Sequence, residues 1–375
     1  MKNYLKKIQG IIFYCCILLL AGVQACNDKT GPANTNSFDR KIMLQNFADN
    51  IIIPAFTDLQ ANVNKLQSDL LNFSENTTTA ALDDAQQSFE KTYTAWMYAN
   101  SFNFGPAGES GIRKGFVEEI GTWPANTTSI ESNITTNNTS LTDFNRDNRG
   151  LNAIDYLIFD PAGNDEAIVN AFSTNGNRGK YLLALINKIK SQTDAIVAAW
   201  TDSYKQEFIN NDGTDVGSST SQMYNEFVRS FEAIKNFKVG LPLGKRIGQT
   251  STEPSKVEAR YSAISRKYIE LHIEAIDNCW QGRSKAGTDG IGWKEYLLSV
   301  SGGADLVSRT ETQMAVIKNA LATIPESPSF ETQINTNFDA WSSLHTQLQI
   351  QLPNYKSEMS SLLGIAITFS SGDGD

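Results

Sequence analysis

Residues 38–72 read FDRKIMLQNFADNIIIPAFTDLQANVNKLQSDLLN, and this stretch decides the fold class. Ile42, Leu44, Phe47, Ile51, Phe56, Leu59, Val63, Leu66 and Leu70 recur at steps near three and four, which lines one face of a helix turning every 3.6 residues. Pro54 lacks an amide hydrogen and its ring crowds the preceding turn, so the helix is predicted to kink or split there. The same rhythm predicts a helix over 78–98, with Leu82, Phe89, Tyr93 and Trp96 on one stripe, and others over 152–159, 166–201 and 219–237. It continues through 255–280, 293–300, 303–323 and 330–352, and the apolar segment 355–369 is expected to be buried. No strand-type alternation runs far enough to demand a sheet. The predicted class is therefore all-α, built as helical bundles.

Two interruptions organise the chain. Between 101 and 149 the rhythm stops at Pro106, Gly108, Gly111, Gly121 and Pro124, and the Asn/Thr/Ser-rich stretch 126–142 offers little to bury, which predicts a long loop. The second is Gly240-Leu241-Pro242-Leu243-Gly244-Lys245. It is expected to join an N-terminal helical half, 37–239, to a C-terminal half, 240–375.

The N-terminus carries an address. A basic start with Lys2, Lys6 and Lys7 precedes an apolar run over 11–21 that is too short for an ordinary spanning helix, so 1–25 read as a signal peptide. Val23-Gln24-Ala25-Cys26 looks like a bacterial lipoprotein cleavage box, with Cys26 the lipidated first mature residue and 26–36 a polar tether. The alternative is a plain secretory signal in which Cys26 is incidental. Membrane association is then expected through the N-terminal lipid, each buried CH₂ adding about 0.8 kcal/mol. The expected location is the bacterial cell envelope, as an outer-membrane lipoprotein facing the periplasm or the surface.

Composition narrows the partners. The chain has 32 Lys and Arg against 41 Asp and Glu, a net charge of -9, and shows no basic stripe interleaved with aromatics. Nucleic acid is therefore excluded as an expected partner. Of four cysteines, Cys15 and Cys16 leave with the signal and Cys26 is committed to lipid. Cys279 alone remains, so neither a disulfide framework nor a thiolate cluster is available.

The segment Arg149-Gly150-Leu151-Asn152-Ala153-Ile154-Asp155-Tyr156-Leu157-Ile158-Phe159 stands out for chemistry. A flexible glycine precedes a helix start whose Asn152 and Asp155, three residues apart, share a face. They could cap their own helix and pack, or they could present oxygen atoms to a ligand.

This segment resembles the glycine-x-histidine-x-x-glutamate motif of the imelysin-like family, bacterial lipoproteins linked with iron-regulated uptake and once classed as peptidases. Other stretches agree in order and spacing: Phe104-Gly105-Pro106, the run 234–244, Val257-Glu258-Ala259-Arg260-Tyr261-Ser262, Gly292-Trp293-Lys294-Glu295-Tyr296-Leu297, and the tail 363–375. The resemblance implies two helical halves packed together, with the motif near the cleft between them. Gly150 is kept, but Asn152 stands where the family has histidine and Asp155 where it has glutamate. An amide is a poor donor to zinc or ferrous iron, and aspartate retracts the carboxylate by a methylene. His272 and His345, the two histidines of the chain, sit among apolar neighbours and read as helix-face residues.

Asp155, Glu118, Glu119 and Glu258 are the candidate oxygen donors, and Arg260 a candidate partner to a carboxylate. Such groups suit a hard cation or a metal chelate better than covalent catalysis. No catalytic residue is assigned. The expected function is an envelope accessory or binding component of iron or metal acquisition, with iron or another divalent or trivalent metal as cofactor and envelope transport proteins as partners. The alternatives are a metallopeptidase with a degenerate motif and a protein-interaction lipoprotein.

Overall fold

Asp39 opens the first helix by accepting hydrogen bonds from the Lys41 and Ile42 amides at 3.0 and 3.3 Å, which satisfies donors that have no partner inside the helix. The computed structural model describes residues 38–109, 114–142 and 144–369. The signal peptide, tether and Cys26 lie outside them.

Helix α1 (Arg40–Asn46) runs through a π-helical turn at Phe47–Ile52 into α2 (Ile53–Glu75). Pro54 falls in the first turn of α2. The expected break is thus taken up by the wider turn before it, and the chain stays helical. Helix α3 (Thr79–Ala99) is capped by the Thr78 hydroxyl, which accepts from the Ala81 amide at 3.3 Å. Leu59, Val63, Leu66 and Leu70 of α2 are fully buried, and α2 packs against both α3 and α8 (Gly176–Ala199).

The stretch 101–149 is more ordered than its composition suggests. It carries a 3-10 turn at Gly105–Ala107, α4 (Phe116–Ile120) and α5 (Thr127–Thr135). Asn126 caps α5 by accepting from the Ser129 amide at 3.0 Å, and Ile130 and Ile134, one turn apart, are buried. Two isoleucines at that spacing suffice to seat a short helix in an otherwise polar run.

After α6 (Leu151–Ile158), the region expected as a single helix over 166–201 divides into α7 (Asp165–Thr174) and α8. Helix α8 continues through a π-helical turn, Trp200–Tyr204, into α9 (Lys205–Asn210). Helix α10 (Ser219–Ala233) widens into another π-helical segment at Ile234–Gly240. There the chain turns, with Lys245 N–H donating to Gly240 C=O at 2.9 Å. Residues 257–264 are not helical, against expectation; α11 starts later and spans Ser265–Gln281. Then come α12 (Trp293–Leu298), α13 (Gly303–Ala322), α14 (Phe330–Thr336), α15 (Phe338–Pro353) and, after a π-helical turn, α16 (Met359–Leu363).

The fold is all-helical, with no strand among the described residues. Residues Asp39–Asp375 form one unit, within which α3 packs on α11 and Tyr93 stacks on Tyr268 at 4.3 Å and 13°. The stretches before and after residue 240 therefore meet along this pair. Trp96, Trp200, Trp280, Trp293 and Trp341 are buried in the core, whereas Trp123 is half-buried. The apolar tail is buried only on the Tyr355, Met359, Leu363 and Ile365 side.

Candidate functional site

Gly150 sets the entry to α6. Its φ is +79°, and a Cβ there would lie 2.5 Å from the carbonyl oxygen of Ile120 at the end of α4, so no other residue fits without moving backbone. This close approach fixes where Asn152 and Asp155 point. Both are buried, and neither caps its own helix. Asn152 Oδ1 accepts the Ala259 amide at 3.0 Å, and its Nδ2 donates to the Tyr93 hydroxyl at 3.3 Å. Asp155 Oδ2 accepts the Tyr261 amide at 2.9 Å and Oδ1 the Ser262 amide at 3.0 Å.

The pair is thus a clamp on a neighbouring loop. That loop needs holding, since Ala259 (φ +49°) and Ala263 (φ +63°) both sit in the left-handed region, at a cost of about 1–2 kcal/mol each. Burial pushes the Asp155 carboxyl up to about 6, against the opposing pull of its hydrogen bonds to Ser262 and Tyr261. The space beside the clamp, lined by Asn152, Asp155, Arg260 and Tyr261, measures about 30 Å³, close to what one water occupies.

What the clamp delivers is Glu258. This carboxylate is buried; Oε1 accepts the Tyr93 hydroxyl at 2.9 Å and Oε2 pairs with Lys238 Nζ at 2.7 Å, both side chains 3% exposed. Ser265 Oγ donates to the Glu258 carbonyl and ties the loop to the start of α11. Lys238 lies in the π-helical segment after α10, where wider turns re-aim side chains, and its Nζ is 5.8 Å from the centre of the Trp123 ring. Burial drives the lysine pKa down and Glu258 opposes it. On α11, His272 Nε2 shares a 2.7 Å hydrogen bond with Ser230 Oγ, which in turn lies 2.8 Å from Ser101 Oγ. Burial, aided by the Lys238 charge, holds this imidazole neutral.

Lys238, Glu258 and His272 line a cavity of about 400 Å³, in the range that holds small ligands. Trp96, Trp123, Phe237, Leu241 and Phe369 supply apolar wall. Arg229 on α10 pairs with Glu226 at 3.0 Å and with Glu118 of α4 at 3.2 Å. Burial pushes Glu226 up to about 7; Arg229 opposes this and Glu118 adds to it. Of the lining residues, Asn100 Oδ1, Trp123 Nε1 and His272 Nδ1 are buried without a hydrogen-bond partner among the described residues, and Glu258 Oε2 has its ion pair with Lys238 in place of one.

The candidates named from the sequence therefore go to different places. Glu118 and Glu258 line the cavity. Glu119 turns the other way, into a buried ion cluster with Arg146 at 2.9 Å and Arg149 at 3.3 Å. Arg260 makes a two-pronged pair with Glu331 at 2.7 and 2.8 Å. Gly150, Asn152 and Asp155 stand behind the loop. Lys238, Glu226, Arg229, Ser230 and His272 were not singled out as ligand contacts, although Glu226, Arg229, Ser230 and Ala233 follow helical spacing along one face of α10. Among the described residues no group of three or more His, Cys, Asp or Glu is placed to hold a metal ion. Asp155 and Asn152 spend their acceptor oxygens on backbone amides, so the altered motif does not fit a bare metal.

The sequence model of the imelysin family matches residues 52–350, a span that includes the clamp and the cavity floor. The chain belongs to the imelysin family. Iron-regulated protein A of Synechococcus elongatus is 21% identical over 294 residues, 76% of this chain and 75% of that protein. Two solved structures share the fold. One is described as an iron-regulated protein A precursor from Parabacteroides distasonis, with a TM-score of 0.65, 17% identity, and coverage of 84% of this chain and 95% of that one. The other is an imelysin-like protein from Psychrobacter arcticum, with a TM-score of 0.66, 16% identity, and coverage of 88% and 97%. Imelysin-type helical packing is thus common to chains that differ at more than four positions in five.

Proposed function

We propose that this imelysin-family chain is a lipid-anchored binding component of the bacterial cell envelope, serving iron or other metal acquisition, and that the cavity beside Lys238 and Glu258 is its ligand site. The relatives called iron-regulated protein A support the setting. The order of basic, apolar and small residues before Cys26 supports the anchor. The observation that carries the ligand reading is the cavity itself: about 400 Å³, aromatic walls, and buried polar atoms without partners at its edge.

An organic molecule or a metal chelate suits it better than a bare ion. The lining carboxylates are already bound to Lys238 and Arg229, and an ion would have to displace these cations. No hydrolytic step is assigned, because the motif residues hold backbone and present no open donor set.

Calorimetric titration of the chain from residue 27 onward checks the ligand reading. Ferrioxamine B, a ferric chelate with a pendant ammonium, is expected to bind, and Ala233→Phe, which fills the cavity, to abolish that binding while the fold persists. Binding of free ferric, ferrous or zinc ion that is lost in Asp155→Asn and kept in Ala233→Phe would return the site to the motif. Anchoring is checked by membrane fractionation. Cys26→Ser is expected to move the protein to the soluble fraction, and unchanged membrane retention would remove the lipid from the proposal.

A further inference from the structure

Among the described residues, the cavity lining holds more carboxylates than cations. Lys238 is matched by Glu258, and Glu232, which also lines the wall, is met by Lys356 at 3.4 Å. Glu226 and Glu118 both turn to Arg229. Glu109 adds a further negative field on this side and is itself paired with Lys114 at 3.1 Å. Among the described residues, Glu226 and Glu118 thus share one cation, Arg229.

The unpartnered polar atoms of the lining are of both kinds. Among the described residues Asn100 Oδ1 is an acceptor and Trp123 Nε1 a donor without a partner, and His272 Nδ1, on a neutral ring, takes either role with the tautomer. The Asn100 oxygen offers an acceptor to an N–H group of a ligand. The walls include the indoles of Trp96 and Trp123, whose ring faces attract cations. An anionic ligand would find Arg229 and Lys238 both engaged and would meet Glu118 and Glu226 at the entrance.

We propose that the cavity takes a singly charged organic cation, an ammonium-type group on an apolar body, either free or as the positive arm of a metal chelate. Glu226 and Glu118 supply the counter-charge and the indoles the walls. The proposal rests on the reading of this cavity as the ligand site. Burial first, and Glu118 and Glu109 after it, raise the Glu226 carboxyl against the pull of Arg229, and an entering cation would favour its ionised form. The charged groups acting on Glu226 are Arg229 on its own helix, Glu118 on α4 and Glu109 before α4.

Three probes of one shape separate charge from cavity: 2-phenylethylammonium, 2-phenylethanol and phenylacetate, titrated at pH 8 by calorimetry. The ammonium is expected to bind at least tenfold more tightly than the alcohol, and phenylacetate more weakly than either. Glu226→Gln should remove most of the ammonium preference and leave alcohol affinity unchanged, and Glu118→Gln should reduce the preference in the same direction. Alcohol binding with no ammonium preference, tighter phenylacetate binding, or a preference that survives both variants would overturn the charge assignment and leave the cavity reading intact. Failure of all three probes to bind the wild-type chain would reject both.

Discussion

Two polar regions lie on either side of the 257–263 loop and behave differently. On one side, Asn152 and Asp155 give their acceptor oxygens to backbone amides of the loop, and the space left over is about 30 Å³. On the other, Glu258 and Lys238 form the floor of a cavity of about 400 Å³ whose edge keeps polar atoms without partners. A buried polar group that is fully hydrogen-bonded is committed to the fold. One that is left wanting is a place where a ligand can repay the desolvation already incurred. The altered motif is then a positioning device, and the chemistry it positions lies one residue outside the loop segment it clamps.

The largest effect should come from the floor. Glu258→Ala leaves the Lys238 ammonium buried without a counter-charge, which costs roughly 3–5 kcal/mol of stability. Lys238→Met combined with Glu258→Leu should recover most of that loss, because replacing both charges removes the desolvation penalty. Urea unfolding of the single and double variants measures this. A loss under about 1 kcal/mol for Glu258→Ala would mean that the pair is solvated, and the contrast between the two regions would weaken.

The clamp should reveal itself through pH. Burial raises the Asp155 pKa to about 6 from an ordinary 3.8, so the folded chain holds that proton more tightly than the unfolded chain. The resulting contribution is complete below about pH 4 and disappears as pH rises through 6, an amplitude of about 3 kcal/mol. Asp155→Asn keeps the shape and does not titrate. Relative to that variant, wild type should gain about 2.5 kcal/mol between pH 7 and pH 4, while the raised Glu226 contributes to both and cancels. A flat difference would place Asp155 in contact with solvent.

How much of this was legible depends on the range of the interaction. Repeats such as Leu59, Val63, Leu66 and Leu70 are local, so α3 could be placed within one residue of its observed ends and the end of α2 within three. Gly150 could be singled out, but its reason could not, because the carbonyl it must avoid belongs to Ile120, thirty positions earlier. Asn152 and Asp155 were visible as a pair on one face, and the amides they hold are more than a hundred residues away. The non-helical backbone at 257–264 was hidden for the same cause: Ala259 and Ala263 carry no local mark of a left-handed conformation. Lys238 and His272 looked like ordinary helix residues, since only the tertiary packing of α3, α10 and α11 turns them toward one space.

Arg260 offers the smallest and most discriminating test. The sequence made it a candidate partner for a ligand carboxylate, whereas its guanidinium lies along Glu331 with two hydrogen bonds at 2.7 and 2.8 Å. Both side chains keep about a third of their surface in solvent, so water and salt screen the pair. Its loss should cost about 1 kcal/mol or less. Arg260→Ala is therefore expected to lower the unfolding midpoint slightly, more at low than at high salt, and to leave the affinity of 2-phenylethylammonium unchanged. Arg260 also flanks the small space beside Asp155, so a ligand entering from the clamp side would have to pass it. A tenfold loss of affinity in Arg260→Ala, with stability almost intact, would show that ligands approach from the motif after all, and would move the binding site from the cavity to the clamp.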